Sequence, residues 1–251
     1  MSDQPSTYQY FSRKIPTGVM QLKTDLASCE AIQKNALPFR TWAIATMQTP
    51  DDEGFPMEAE RQVLENAERE LMGRVGSENT VFLGSISHGG KYVVVIHSKD
   101  RQAVGHGPRS RIRGSVYGWD VYVDEDPDYF FVRYKLMPTA KEQRRIKDAE
   151  VINKLTAAND HLEAPRPLTF YALFSEKELA DSAMNAFTTA GFRTAPASSM
   201  PGKGDYSWSL MLQKSSAADP MSIEQISAKA EEICHLYGGH YDGWSCEPVA
   251  G

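Results

Sequence analysis

From residue 168 onward the hydrophobic pattern switches between period 2 and period 3.6 in a fixed order, and that order is the strongest constraint in the chain. "TFYALF" (169–174) is short and aromatic, as a strand should be. Ser175, with Glu178 three residues later, reads as a capping box that opens a helix. Leu179, Ala183, Met184 and Phe187 then recur at helical spacing, and Gly191 supplies the stop. "FRTAPAS" (192–198) and "YSWSLMLQ" (206–213) read as two strands around the loop "SMPGKGD". Ser222 with Gln225 reads as a second capping box. Ile223, Ile226, Ala230 and Ile233 mark the buried stripe of the helix that follows. Gly238 and Gly239 end it, and "HYDGWSCEPV" is the last strand. The order β-α-β-β-α-β predicts a ferredoxin-like α+β sandwich for 168–251.

On the last strand, simple alternation predicts His240, Asp242, Trp244 and Cys246 on one face and Tyr241, Gly243 and Ser245 on the other. Trp244 is then a core anchor. Asp242 is the carboxylate either bound to backbone amides or offered to a partner.

Upstream, "AANDHLEAPRPL" (157–168) interrupts every apolar period, and Pro165 and Pro167 disfavour helix before them. A linker at 158–167 follows, preceded by an α+β domain over 1–157. That domain reads as an antiparallel sheet with about two helices. "STYQYFS" and "VMQLKTDLA" form a hairpin across Pro16-Thr17-Gly18, and "TVFLGSISHGGKYVVVIHS" forms another around His88-Gly89-Gly90. "PFRTWAIATMQ" (38–48) is a core strand, and the segment around Glu58–Gly73 is a helix led by Pro56. "VYGWDVYV" and "YFFVRYKLM" read as two further strands, with Phe130, Val132, Tyr134 and Leu136 on one face. Thr139 with Glu142 opens a closing helix through Leu155, whose inner face includes Ile146, Ala149 and Ile152.

Composition excludes several classes. The 251 residues are 41% hydrophobic and 24% charged, as in an ordinary globular protein. No run approaches the roughly 18 apolar residues of a membrane span, and the start lacks a basic, then apolar, leader. Three scattered cysteines, Cys29, Cys234 and Cys246, fit a reducing compartment, so a cytoplasmic location is expected. The net charge of −6 is uneven. Residues 162–251 hold 11 acidic against 6 basic side chains, whereas residues 1–161 hold 22 against 21. The C-terminal part suits a basic partner better than a phosphate backbone.

Chemistry-bearing motifs are absent. There is no nucleophile elbow, phosphate loop, dinucleotide fingerprint or zinc-protease helix, so an enzyme and a cofactor are not expected. The acidic turn Asp124, Glu125, Asp126 and Asp128 reads as a solvated connection, because Pro127 stands where a metal loop needs a flexible turn. Cys234, His235, His240 and Cys246 match no zinc spacing. The basic loop 97–114, with Lys99, Arg101, Arg109, Arg111 and Arg113 against Asp100 alone, is the candidate phosphate or RNA contact. An enzyme using a cleft between domains would need His97 or His106 beside a carboxylate.

Three stretches carry a resemblance. "FYALFSEKELADSAMNAFTTAGF", "YSWSLMLQ" and above all "YGGHYDGWSCE" resemble the regulator of ribonuclease E activity B family over about 160–251. Asn159 stands where that family's entry has a glycine. "VDEDPDYFFVRYKLMPTAKEQ" is similar to a family of unknown function often joined to such a module. The first resemblance implies a non-enzymatic regulator that binds the scaffold region of a ribonuclease and lowers RNA degradation. Such scaffold regions are arginine-rich and disordered, which an acidic domain complements. The resulting expectation is a protein-binding module whose partner contacts are Glu231, Glu232, Tyr241, Asp242, Trp244 and Glu247. Direct RNA binding through 97–114 is the alternative, and no membrane association is expected.

Overall fold

The structure is a computed structural model. It describes residues 8–32, 36–75, 79–103, 107–110, 117–203 and 205–249, of which 74–75, 107–110 and 201–203 as backbone only. The chain forms two compact units, Met1–Thr139 and Ala140–Gly251. No described helix is long and apolar enough to cross a membrane.

The N-terminal unit is built on one antiparallel sheet. Its strands are β1 (Tyr8–Ile15), β2 (Gly18–Asp25), β3 (Phe39–Thr46), β4 (Thr80–His88), β5 (Lys91–Ser98), β6 (Gly107–Ser110) and β7 (Trp119–Glu125), in the order β1-β2-β4-β5-β3-β7-β6. Both predicted hairpins are present. Gly89 and Gly90 have φ of +55° and +72°, the left-handed pair that a two-residue turn between twisted strands requires.

Helices α1 (Leu26–Ala31) and α2 (Glu58–Val75) belong to the same unit. Alternation along β3 decides what each face buries. Ala43 and Ala45 join Leu64, Ala67 and Leu71 of α2 in one core. Helix α2 is also held by two carboxylates on its inner face. Glu60 accepts from the backbone N–H groups of Gln48 and Thr49 and from the Tyr117 hydroxyl. Glu68 accepts from Lys23 at 2.7 Å and from the Tyr92 hydroxyl at 2.5 Å. On the other face, Leu22, Ile86 and Val95 pack against Cys29 of α1, its C-cap Ile32, and Tyr129, Val132 and Leu136.

Those last three residues correct the sequence reading. The expected strand at 129–137 is helical from Phe130 and closes in a π-helical turn, Val132–Leu136. The buried set is 129, 132 and 136, a helical spacing, while Phe130 and Tyr134 are exposed. Asp126 explains why. Its carboxylate accepts from the N–H groups of Phe130 and Phe131 and opens the helix. Nor is the acidic turn simply solvated, because Asp126 is buried and pairs with Arg40 at 3.0 Å, beside Asp124 at 2.6 Å.

The C-terminal unit contains α3 (Ala140–Ala157), β8 (Arg166–Phe174), α4 (Lys177–Thr189), β9 (Arg193–Thr194), β10 (Ser198–Lys203), β11 (Tyr206–Ser216), α5 (Pro220–Leu236) and β12 (His240–Ser245). Sheet order is β10-β11-β8-β12, with β9 on β11 and both β8 contacts antiparallel. From β8 onward the predicted β-α-β-β-α-β order holds, except that the strand expected at 192–198 shortens to β9 and the expected loop at 199–205 carries most of the additional edge strand β10. Phe170, Phe187 and Phe192 interlock edge to face at the centre of its core.

Both expected capping boxes are displaced. Glu176 occupies the cap of α4 and makes no side-chain cap bond. Asp219 caps α5 by accepting from Met221 and Ser222, with Pro220 in the first turn. An Asp-Pro pair starts a helix better than the serine three residues on.

The division at 139/140 also differs from the expected linker at 158–167. Helix α3 buries its stripe against α5 and β12, so it belongs with the second unit. That stripe carries Arg144, Asp148 and Leu155, with Ile152 partly buried and Ala149 exposed. The connection after α3 is pinned rather than loose. Asp160 accepts from Arg166 and from the Val249 N–H, both at 2.6 Å. Asn159 has φ +56°, a left-handed conformation suited to the glycine expected there and tolerated by asparagine.

Candidate functional site

The "YGGHYDGW" motif builds the corner where α5 turns into β12. Gly238 has φ +69°, its N–H donates to His235, and the Gly239 N–H donates to Cys234. That pair of bonds is a Schellman stop. Gly239 answers a different demand, since a Cβ there would lie 2.4 Å from the Phe174 ring. The two glycines therefore have separate reasons, one conformational and one steric.

The alternation expected along β12 fails at its middle. Tyr241 pairs with Ala172 but Gly243 pairs with Tyr171, so Asp242 is an extra residue in a β-bulge. Gly243 takes φ +112° to make it. The bulge turns both Tyr241 and Trp244 inward, three residues apart, and both are buried. Two of the expected partner contacts are thus core residues.

Beneath this corner lies a buried polar network that periodicity did not reveal. The Arg144 side chain is 2% exposed. Its guanidinium donates to both oxygens of Glu224 at 3.1 Å, to Glu231 at 2.9 Å and to Asp148 at 3.2 Å. Arg145 adds a second cation on Glu224 at 2.8 Å. Ser227 donates its proton to Asp148, so the Tyr241 hydroxyl, 3.0 Å from the serine oxygen, donates to Ser227. The Trp244 indole Nε1 makes no hydrogen bond of good geometry, yet it lies near enough to Asp148 to favour its charge.

Two cations thus face three carboxylates. Burial works against the Glu224 charge, but hydrogen bonds and charge from Arg145 and Arg144 outweigh it and hold that carboxyl at about 2. Asp148 lies deepest, and burial pushes it up to about 6 despite Arg144 and Ser227. A carboxyl whose pKa rises from 3.8 to about 6 on folding favours the folded state when protonated. That contribution is present below pH 3.8 and is lost as pH rises through about 6. Asp148→Asn removes this group's titration. Relative to wild type, the variant should gain about 2 kcal/mol between pH 4 and pH 6. Thermal melts across that window would test it, and parallel pH profiles would contradict it.

Above the network is a cleft of about 160 Å³ between Gln143, Arg144 and Lys147 of α3 and Glu231, Cys234 and His235 of α5. Gly239, His240 and Tyr241 close its end. The Cys234 thiol in it is not an activated nucleophile, since burial pushes its pKa up to about 12. Among the described residues, no group of three His, Cys, Asp or Glu could hold a metal ion.

The other expected contacts scatter. The Glu231 carboxylate is taken by Arg144, whereas Glu232 is exposed on α5 and pairs with Lys229 at 2.9 Å. Asp242 is half-buried in the bulge, and Glu247 is exposed beyond β12. What the sequence reading missed is the outward face of α5. Met221 and Leu236, at its two ends, are 73% and 74% exposed, on the helix that also presents Glu232. Large apolar side chains outside the i, i+3, i+4 stripe were the available signal.

In the N-terminal unit, Arg101 pairs with Glu125 at 3.5 Å and Lys99 is exposed. Arg111, Arg113 and the Arg109 side chain lie outside the described residues, as does His106. His97 does stand beside a carboxylate, with Nε2 3.8 Å from Asp126. It is fully buried, donates its Nδ1–H to the Leu37 carbonyl at 3.0 Å, and has its pKa lowered chiefly by burial. That is a packed core histidine.

No curated protein matches the chain. One solved structure, described as an unknown protein from Galdieria sulphuraria, is similar over 85% of this chain and 99% of its own. The identity is 9% and the TM-score 0.23. Residues 8–132 match the model of a family of unknown function (DUF695), and residues 145–246 match that of the family Regulator of ribonuclease activity B.

Proposed function

We propose that this chain is a non-catalytic regulator that acts by binding a ribonuclease-type protein through its C-terminal unit. The observation that carries the reading is the match of residues 145–246 to a family of ribonuclease regulators. The motif residues support it, since they build a packed corner and leave no activated nucleophile there.

The surface that best fits such a partner is the outward face of α5, with Met221, Glu232 and Leu236, together with Glu247. Exposed ion pairs contribute only about 0–1 kcal/mol each, so the carboxylates set approach and orientation. The two apolar ends supply the anchors that Tyr241 and Trp244, being buried, do not. A basic, disordered segment of the partner suits this combination.

The test is RNA cleavage in a host extract titrated with the purified chain. Cleavage should fall saturably, and salt should weaken the effect steeply. The double variant Glu232→Lys, Leu236→Ala should lose it while melting at the wild-type temperature. Unchanged cleavage with wild-type protein, or full activity of the double variant, would count against the reading.

A further inference from the structure

We propose that the N-terminal unit holds a binding site for an amphipathic organic anion, with an apolar body and a single carboxylate-type head. The site is an open groove of about 700 Å³ on the sheet face opposite α2. That volume lies within the roughly 300–1,000 Å³ of small-molecule sites.

The groove exists because one face of the sheet is only partly covered. Tyr129, Val132 and Leu136 seal the part over Val95 and Leu22. Beyond them, Ile44 of β3 pairs with Val93 of β5, which pairs with Ile86 of β4. This cross-strand row is an apolar floor. Trp42 stands two residues before Ile44 on the same face, with Phe131 packed edge-on against it at 4.5 Å. The floor from Trp42 to Thr46 spans four residue steps, about 13 Å at strand spacing.

Charge selects the occupant. Every charged side chain lining the groove is cationic: Arg40, Lys91 and Lys135. Arg40 is already answered by Asp124 and Asp126, and it is clasped between the Trp42 and Phe131 rings. Lys91 is not so answered, since its ammonium donates to the neutral Thr46 hydroxyl at 2.6 Å. It lies at the hairpin end of the floor, opposite His88 and Thr46 in register. Lys135 is exposed on the groove's wall, and no carboxylate pairs with either lysine among the described residues. An apolar tail along Ile44 and Val93 against Trp42 would bring an anionic head to Lys91. A cationic head would meet only like charge, and a neutral one would leave both ammonium groups without a counterion.

Calorimetric titration of the full chain with dodecanoate, dodecanol and dodecylamine tests this. Dodecanoate should bind saturably at one site. Dodecanol should bind more weakly, and dodecylamine should not compete. Lys91→Gln with Lys135→Gln, both on exposed positions, should weaken dodecanoate about tenfold, the loss of one charge-assisted contact. Phe130→Ala, which trims an exposed groove residue, should also weaken it while the melting temperature holds. No saturable binding, equal binding of the three probes, or an unchanged lysine double variant would overturn the proposal. One-to-one binding of an acidic, leucine-rich peptide in place of dodecanoate would overturn it too, by assigning the groove to a protein segment.

Discussion

Arg144→Met is expected to destabilise the C-terminal unit by about 3–5 kcal/mol, the cost of removing one partner from a buried ionic cluster. The side chain is 2% exposed and serves three carboxylates at once. Methionine retains the stem's packing, so the loss isolates the charge. Glu224 keeps Arg145, and Glu231 can turn to water because each of these two is about one-third exposed. Asp148 has no such exit, and its pKa should climb further. The double variant Arg144→Met, Asp148→Asn should therefore recover much of the loss. Buried ion pairs replaced as a set are often neutral, whereas half of one is not. Urea unfolding of the three proteins would decide it. A single-variant loss under about 1 kcal/mol would mean that the cluster is hydrated and contributes little.

Trp244→Ala should cost about 3–5 kcal/mol by leaving a cavity in the core. The ring is 5% exposed and packs against Phe170 at 6.4 Å between centroids. It belongs to the single buried cluster shared by β8, β11, α4 and α5. Trp244→Phe should cost less, since most of the volume stays. If the alanine variant instead unfolds like wild type but binds its partner poorly, Trp244 is a contact residue and not a core anchor.

Much of the C-terminal fold was legible because its signals are local and agree with one another. Short aromatic runs, helical stripes and Gly238-Gly239 all point to the same β-α-β-β-α-β order. The N-terminal hairpins were legible for the same reason, through Gly89-Gly90. Failures arose where a side chain acts at a distance. Alternation at 130, 132, 134 and 136 read as a strand, but Asp126, a few residues upstream, caps a helix there. Alternation also misassigned Tyr241 and Trp244, because the bulge at Asp242 lies in register with β8, which the local pattern does not contain. Helix α3 was attached to the wrong neighbour for a related reason. Its inner face is ionic, so Ile146 and Ala149 looked like the stripe while Arg144 and Asp148 are the buried residues. Of the expected partner contacts, the exposed carboxylates Glu232 and Glu247 remain on the surface. The apolar ends of α5 were not foreseen, since a period-3.6 scan looks inward.

Whether the chain works by holding a ribonuclease-type protein is decided by capture from native lysate, with the intact chain as bait. The lysate is run with and without ribonuclease treatment, and the bound fraction is eluted in rising salt. A stoichiometric RNA-degrading protein that survives the treatment and leaves as salt screens the carboxylates is the expected result. Recovery of RNA alone, or of proteins that vanish with the RNA, would contradict it and move the function to the basic segment at 97–114.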